Sequence, residues 1–190
     1  MTEASDYERH RATVDLQAVS REMNDARSRL HGLLAAADAS ALRRRSNGTR
    51  WTNEQLLFHM VFGYLVVRTL LPLVRAFGRL PDGLSRGFAR ILNSGTRPFH
   101  LVNYVGSCIG AMVFRGPRMA ARLDRTVASL HRRLDAETES ALDRGMHFPR
   151  GWDPLFTDTM TLAEVYHYAT QHFDLHRSQL SLGPSTAPRA

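Results

Sequence analysis

Apolar residues recur at helical spacing along four long stretches of this chain, and loops rich in glycine, proline and small polar residues separate them. No run alternates between apolar and polar positions in the manner of a strand bounded by hairpin turns. The pattern therefore predicts an all-α protein, a four-helix bundle with one long crossover connection. The predicted long helices cover residues 11–37, 51–77, 117–142 and 161–180.

Two of the predicted helices open with a reciprocal capping motif. Thr52 precedes Gln55 by three positions, and Thr161 precedes Glu164 by the same interval. In such a pair the threonine hydroxyl accepts a hydrogen bond from the third helical N–H, while the amide or carboxylate accepts one from the N-cap N–H. Both helices are therefore expected to begin at these threonines.

The segment 78–114 separates the second and third long helices. Glycine and proline interrupt it repeatedly, but the stretch from Leu84 to Leu92 has the spacing of a short amphipathic helix. We interpret the segment as an extra helical insertion that covers one end of the bundle. All 190 residues are expected to form a single domain, with an ordered core at about 11–182 and a frayed tail at 183–190.

The second helix is apolar nearly all round, which is typical of a central bundle helix or of a membrane span. It contains His59, Arg68 and Arg75, and arginine near the middle of a bilayer is costly. Pro72 is expected to kink or end it. We therefore interpret this helix as the most buried one of a soluble bundle, and we expect no membrane partner.

The formal net charge of +7 comes from arginine alone, because the chain has no lysine. Such usage is typical of a GC-rich genome, which weakens any reading of the charge as selected for nucleic acid. A stripe of Arg118, Arg122, Arg125 and Arg132 has no interleaved aromatics, so a solvated face is expected rather than a nucleic-acid site. With Cys108 as its single cysteine and no apolar signal segment in its first 20 residues, the chain is expected to be cytoplasmic.

Histidines on two of the predicted helices form a candidate metal site. His172 and His176 are four residues apart, so both rings project from one helix face, with Tyr168 one turn before them and Gln179 roughly one turn after. Satisfied surface or core histidines are the simpler explanation for this pair alone. His59, on the most apolar helix, adds a third nitrogen. Three protein ligands with an open position are typical of a catalytic zinc-type site, although imidazole suits zinc, nickel, iron and copper alike.

Two sequence motifs surround these histidines. They read Trp51-Thr52-x-Glu54-x-Leu56-x-x-His59 and His172-x-x-x-His176-Arg177-x-Gln179-Leu180. Together they resemble the motifs of the DinB-like superfamily, a group of DNA-damage-inducible four-helix metalloproteins, and the resemblance covers about residues 11–182. It implies a helical bundle, often a homodimer, in which His59, His172 and His176 bind a divalent metal ion, with zinc or nickel as the expected metal.

The characterised members of the superfamily that this chain resembles include thiol-dependent enzymes. These are S-transferases for bacillithiol or mycothiol and the mycothiol-dependent maleylpyruvate isomerase. The resemblance therefore implies an enzyme that activates a low-molecular-weight thiol such as mycothiol, or water, for transfer to a small electrophilic substrate. Tyr168 and Gln179, on the ligand face, are the catalytic candidates, either for orienting this small-molecule substrate or for holding the metal-binding histidines in place.

Two observations bear on competing functions. Asp174 lies on the side of the last helix opposite His172, and a glutamate directly after the first histidine is missing, which disfavours the chemistry of helical zinc peptidases. The second hypothesis that remains open is a non-catalytic bundle, which a metal stabilises or which acts as a stress-response binding protein. A fourth protein ligand would favour that hypothesis, and an exchangeable position at a cleft would favour catalysis.

Overall fold

The computed structural model describes residues 14–182 and is helical apart from loops and one small sheet. The predicted tail at 183–190, and residues 11–13 at the start of the predicted core, lie outside the described residues. The elements are α1 Leu16–Ala36, α2 Ala39–Arg43, α3 Asn53–Phe77, α4 Asp82–Ser94, α5 Thr96–Val113, α6 Pro117–Leu134, α7 Glu139–Leu142, β1 Gly145–His147, β2 Thr159–Thr161 and α8 Leu162–Arg177.

Both predicted capping motifs are confirmed at the starts of α3 and α8. The Thr52 hydroxyl accepts from the Gln55 N–H, and the Gln55 side chain accepts from the Thr52 N–H at 3.0 Å. At the second site the Glu164 carboxylate accepts from the Thr161 N–H at 2.6 Å, and the Thr161 hydroxyl accepts from the Glu164 N–H at 3.2 Å. These bonds satisfy amide groups that a helix start otherwise leaves without partners.

Four helices form the bundle that the sequence predicts. α3 packs against α6 and α8, and α1 packs against the same two helices, so the four surround one core. The all-α class and the extra helices between the second and third long helices are confirmed. The core is built from large apolar side chains that are fully enclosed, among them Met23, Leu30, Leu57, Tyr64, Leu123 and Phe173.

Helix α3 is the described helix that is long and apolar enough to cross a membrane by length and composition. Within its most apolar window, 56% of the residues are buried against the rest of the protein, as a central bundle helix requires. Pro72 lies inside the helix and does not end it. Its side chain is exposed, so the break in hydrogen bonding that proline causes falls on the outer surface.

The insertion differs from the prediction in its extent and its place. It comprises two helices, α4 and α5, and α5 lies along α3 rather than over one end of the bundle. Gly110 makes this contact close, because a Cβ at that position would lie 1.9 Å from the Phe58 ring. α5 therefore reaches the face of α3 that carries His59.

The third long helix also differs, since it ends at Leu134 rather than at Leu142. Thr138 opens a separate short helix, α7, by accepting a hydrogen bond from the Ala141 N–H at 3.3 Å.

The sequence pattern did not indicate the one small sheet of the described residues, in which β1 and β2 pair antiparallel. Each strand has three residues, too few to show an alternating pattern in the sequence. Gly145 permits the pairing, because a Cβ there would lie 2.7 Å from the Met160 carbonyl oxygen. The sheet delivers the chain to the capping threonine of α8.

Candidate metal centre

The three predicted histidines come together between α3 and α8. The ring centroids of His59 and His172 are 4.9 Å apart, those of His59 and His176 4.6 Å, and those of His172 and His176 4.5 Å. One nitrogen of each ring lies within 4.8 Å of the others. Three atoms so spaced surround a common point at about 2.8 Å or less, a distance from which small ring movements reach the ~2.1 Å of a zinc–imidazole bond.

The position of Gly63 lets the two helices bring these rings together. A Cβ at Gly63 would lie 2.5 Å from Nδ1 of His172, so any larger residue would collide with that ring. Gly63 is one turn beyond His59 on the same face of α3. The absence of a side chain on α3 is therefore what admits the imidazole from α8.

The orientation of His59 is set by the insertion. Its Nδ1 lies 3.1 Å from the hydroxyl of Ser107 on α5, and that hydroxyl donates to the Asn103 carbonyl at 2.8 Å. Because the hydroxyl hydrogen is already used, Ser107 accepts from Nδ1–H of His59. The lone pair of His59 is then on Nε2, the nitrogen left for a metal ion.

The orientation of His176 is also set by a hydrogen bond to its Nδ1. Its Nδ1 lies 2.7 Å from the Oε1 oxygen of Gln179, an acceptor, so Nδ1 carries the hydrogen and Nε2 is free. Gln179 lies just beyond the end of α8, and its backbone carbonyl accepts a hydrogen bond from the Asn47 N–H at 2.7 Å. The loop before α3 therefore holds the residue that orients His176.

His172 is the ring with the fewest partners. Its side chain is 3% exposed, its Nδ1 is buried without a hydrogen-bond partner among the described residues, and its Nε2 approaches only Asp153, at 3.7 Å. A buried polar atom without a partner is costly. The donor set, three neutral imidazoles with two orienting hydrogen bonds, suits a divalent transition-metal ion.

Burial keeps these rings neutral. Burial, followed by the charge of the nearby His176, lowers the pKa of His59 to about 3. Burial and the two neighbouring rings hold the pKa of His172 well below its usual range. Burial also lowers the pKa of His176, although its bond to Gln179 and the charge of Asp153 oppose the shift. A neutral imidazole is the form that ligates metal.

A sequence profile of the DinB superfamily matches residues 22–180. This chain belongs to the DinB superfamily. No curated protein and no solved structure gives a significant match. The superfamily is metal-associated, and the histidines of the two quoted motifs are those that the fold brings together.

Among residues 14–182 of this DinB-superfamily chain, Asp153 is the carboxylate that lies within 4 Å of a histidine of the cluster, and nothing in the sequence pointed to it. It lies in the loop between β1 and β2, with 14% of its side chain exposed. Its Oδ2 accepts from the Tyr168 hydroxyl at 2.9 Å, and its Oδ1 accepts from the Leu155 N–H at 2.9 Å. Burial, followed by the Asp153 charge, raises the pKa of Tyr168 well above its usual range, so the hydroxyl keeps its hydrogen.

Two cavities meet at the histidines. The apolar cavity, of about 410 Å³, is lined by His59, His172, Asp153, Tyr168 and mainly apolar side chains, including Phe62, Leu70, Phe88, Phe148, Trp152 and Phe156. The basic cavity, of about 520 Å³, is lined by His176, Gln179, Trp51, Tyr104, Arg50, Arg97 and His100. Asn103 lines both. The histidine cluster therefore lies between two spaces that a small molecule can enter.

Other candidate residues point elsewhere. Asp174 lies 3.1 Å from the Arg29 guanidinium and faces away from the cluster, as predicted. His167, on the same helix, lies 3.3 Å from Glu22. In the arginine stripe of α6, Arg122 is half-buried with its Cζ 5.6 Å from the centroid of the Phe114 ring, and the other three side chains are exposed.

Proposed function

We propose that this protein is a divalent-metal-dependent enzyme that transfers a low-molecular-weight thiol of the mycothiol type, or water, to a small electrophilic substrate. His59, His172 and His176 would hold the metal, zinc or nickel. The observation that carries the proposal is the position of the cluster. The nitrogens of the three histidines converge where the apolar and the basic cavity adjoin. Among the described residues, the group of side chains that could hold this ion consists of the three histidines, with no fourth protein ligand.

A divalent ion held by these three imidazoles would act as a Lewis acid and would lower the pKa of a bound thiol or water. The protein would then need a group to accept the released proton. Asp153 is suited to this role, because its carboxylate oxygen lies 3.7 Å from Nε2 of His172 and faces the apolar cavity. In the transfer, the thiol sulfur bonds to the electrophilic carbon, the thiol proton passes to Asp153, and the leaving group departs with its bonding electrons.

Tyr168 and Gln179 would act as positioning residues. Tyr168 donates to Asp153 and so holds the proton acceptor at the wall of the apolar cavity. Gln179 fixes the tautomer of His176 through Nδ1. Ser107 does the same for His59, a role that sequence reasoning did not assign to it. Outer residues of this kind raise metal affinity by holding the ligand rings in place.

The alternative function is a non-catalytic bundle that the metal stabilises. A structural zinc site is usually closed by a fourth protein ligand. The two cavities at the cluster favour an exchangeable position instead, and the enzyme is therefore the function that we prefer.

The first experiment measures metal content by elemental analysis after loading with zinc or nickel. About one ion per chain is expected. His172→Gln, which nearly preserves side-chain volume, should lose most of it, whereas the matched control His167→Ala, on the same helix but paired with Glu22, should retain it. Full occupancy in a folded His172→Gln variant would exclude the three-histidine site.

The second experiment supplies the metal-loaded protein with mycothiol and a panel of small electrophiles, and follows the conjugate by mass spectrometry. Conjugation that depends on both the metal and Asp153 is expected, with Asp153→Asn reducing turnover while retaining the metal. Stoichiometric metal without conjugation or hydrolysis of any electrophile would favour the non-catalytic bundle.

A further inference from the structure

Every formally charged side chain that lines the basic cavity is an arginine. Arg50 enters from the loop before α3, and Arg97 lies in the first turn of α5. No aspartate or glutamate is among the lining residues. The cavity thus concentrates positive potential next to His176, and a concave wall strengthens such a field.

No acidic side chain among residues 14–182 competes for these two arginines. Within residues 14–182, neither guanidinium forms an ion pair or a hydrogen bond with the protein. Some other exposed arginines are paired instead, as Arg29 is with Asp174 and Arg86 with Asp82. The unpaired guanidinium groups therefore retain their full capacity for a ligand.

The wall of the basic cavity orders one of these groups. Arg50 lies over the Tyr104 ring, with its Cζ 4.4 Å from the ring centroid, and stacking of this kind restricts a guanidinium to few orientations. Trp51 lines the same wall, and its Nε1–H is buried without an acceptor among the described residues. Directional donors therefore accompany the positive charge.

We propose that the basic cavity binds the oxyanion, a carboxylate or phosphate, of a small amphipathic molecule whose apolar part occupies the apolar cavity. This inference rests on the proposed function, because it places the reacting atom of that molecule at the histidines, between its two ends. Asn103, which lines both cavities, marks where they meet. Arginine suits this role because its planar fork can donate two parallel hydrogen bonds to one oxyanion.

The two tryptophans of the chain offer separate reporters, since Trp51 lines the basic cavity and Trp152 lines the apolar one. Trp152→Phe leaves Trp51 as the fluorophore, and Trp51→Phe leaves Trp152. We would titrate each variant with benzoate, phenyl phosphate and the neutral analogue benzyl alcohol, and repeat the titrations by calorimetry on the unmodified chain. Both anions should bind at least tenfold more tightly than benzyl alcohol, and either fluorophore should respond.

The decisive variant is Arg50→Ala/Arg97→Ala. It should weaken benzoate binding at least tenfold, about 1.4 kcal/mol, since it removes the charged donors of hydrogen bonds to the carboxylate. The matched control is Arg118→Ala/Arg125→Ala, which removes the same charge from exposed positions on α6. The control should bind benzoate normally, and both double variants should retain their metal.

Titrations with metal-free and zinc-loaded protein separate this inference from the proposed function. Anion binding that persists without metal and depends on Arg50 and Arg97 supports the inference even if the protein proves to bind no metal. Anion binding that needs zinc and ignores both arginines would show that the anion coordinates the metal, which overturns the inference and leaves the metal site intact. Equal affinity for benzoate and benzyl alcohol would also overturn it.

Discussion

The bundle helices and the inserted helices contribute different things to the same site. α3 and α8 carry the three histidines and are anchored in the core, with Tyr64 and Phe173 fully enclosed beside them. α5 contributes no histidine to the cluster. It contributes Ser107, which orients His59, and Asn103, Tyr104 and Arg97, which line the cavities.

The convergence of the three histidines and the lining of the two cavities therefore depend on separate parts of the fold. α5 is buried on the face that meets α3, where Ser107 is fully enclosed. Its opposite face exposes Leu101, Val102, Val105, Ile109, Met112 and Val113. Substitutions in the bundle helices should therefore weaken metal binding most. Substitutions in the insertion should act more on the orientation of His59, on the stability of the fold and on the pairing of two chains.

Gly63→Ala is expected to have the largest effect. Its Cβ would lie 2.5 Å from Nδ1 of His172, so the ring must move away from the other two. Metal affinity should fall by about 100-fold or more, and the free energy of unfolding should fall by about 1–3 kcal/mol. Calorimetric zinc titration and urea unfolding check this. Gly32→Ala on α1 is the control, because its Cβ meets nothing within 4 Å; equal zinc affinity in both variants would contradict the prediction.

Acid should remove the stabilisation that the metal provides. Burial lowers the pKa of His59 to about 3 and lowers those of His172 and His176, whereas the unfolded chain titrates near pH 6.5. The stability contributed by the neutral rings is therefore present above about pH 6.5 and is lost as pH falls toward the folded-state pKa values.

Metal binds the same neutral form, so the rise in Tm that zinc causes at pH 7.5 should shrink steeply below about pH 6. Differential scanning fluorimetry with and without zinc, across this pH range, measures the zinc-induced rise in Tm. An equal zinc-induced increase at pH 5 and pH 7.5 would show that histidines are not the ligands.

Gly110→Ala tests the insertion directly. Its Cβ would lie 1.9 Å from the Phe58 ring, so either α5 or this buried ring must shift. We expect a loss of about 1–3 kcal/mol in stability, with a smaller loss of zinc affinity than in Gly63→Ala. Gly106→Ala, on the same helix with nothing within 4 Å, should not destabilise the protein. A larger loss of zinc affinity in Gly110→Ala than in Gly63→Ala would reverse the comparison.

Ser107→Ala should have an intermediate effect on metal and a modest effect on folding. It removes the acceptor for Nδ1–H of His59, and loss of such a partner typically lowers metal affinity ~10-fold. Ser85→Ala is the control, since Ser85 is also buried in the insertion but donates to the Asp82 carbonyl. Zinc titration of the two variants should separate them, and indistinguishable affinities would remove the orienting role of Ser107.

The smallest effect on a single chain is expected at the outer face of α5. Val102, Val105, Ile109 and Met112 follow one another at intervals of three and four residues, the spacing of a seam between paired helices. The homodimer expected from the superfamily would use this face, since monomers rarely expose large apolar patches. Light scattering should show a dimer that Ile109→Arg converts to a monomer with unchanged zinc affinity. A monomer before substitution would contradict this prediction.

Local sequence determined the parts of this protein that depend on neighbours along the chain. Thr52 with Gln55 and Thr161 with Glu164 set where α3 and α8 begin, because a capping box involves residues only three apart. The interval between His172 and His176 placed both rings on one face for the same reason. Three-residue strands leave no such local pattern, and they were missed.

Tertiary structure alone decided which distant groups meet these histidines. Asp153 reaches them from a loop whose position depends on the pairing of β1 with β2. Ser107 reaches His59 because Gly110 lets α5 approach α3. Arg50 and Arg97 come to one cavity from separate segments. Spacing along the chain carries no information about such contacts, because packing across the core, rather than helical periodicity, brings the groups together.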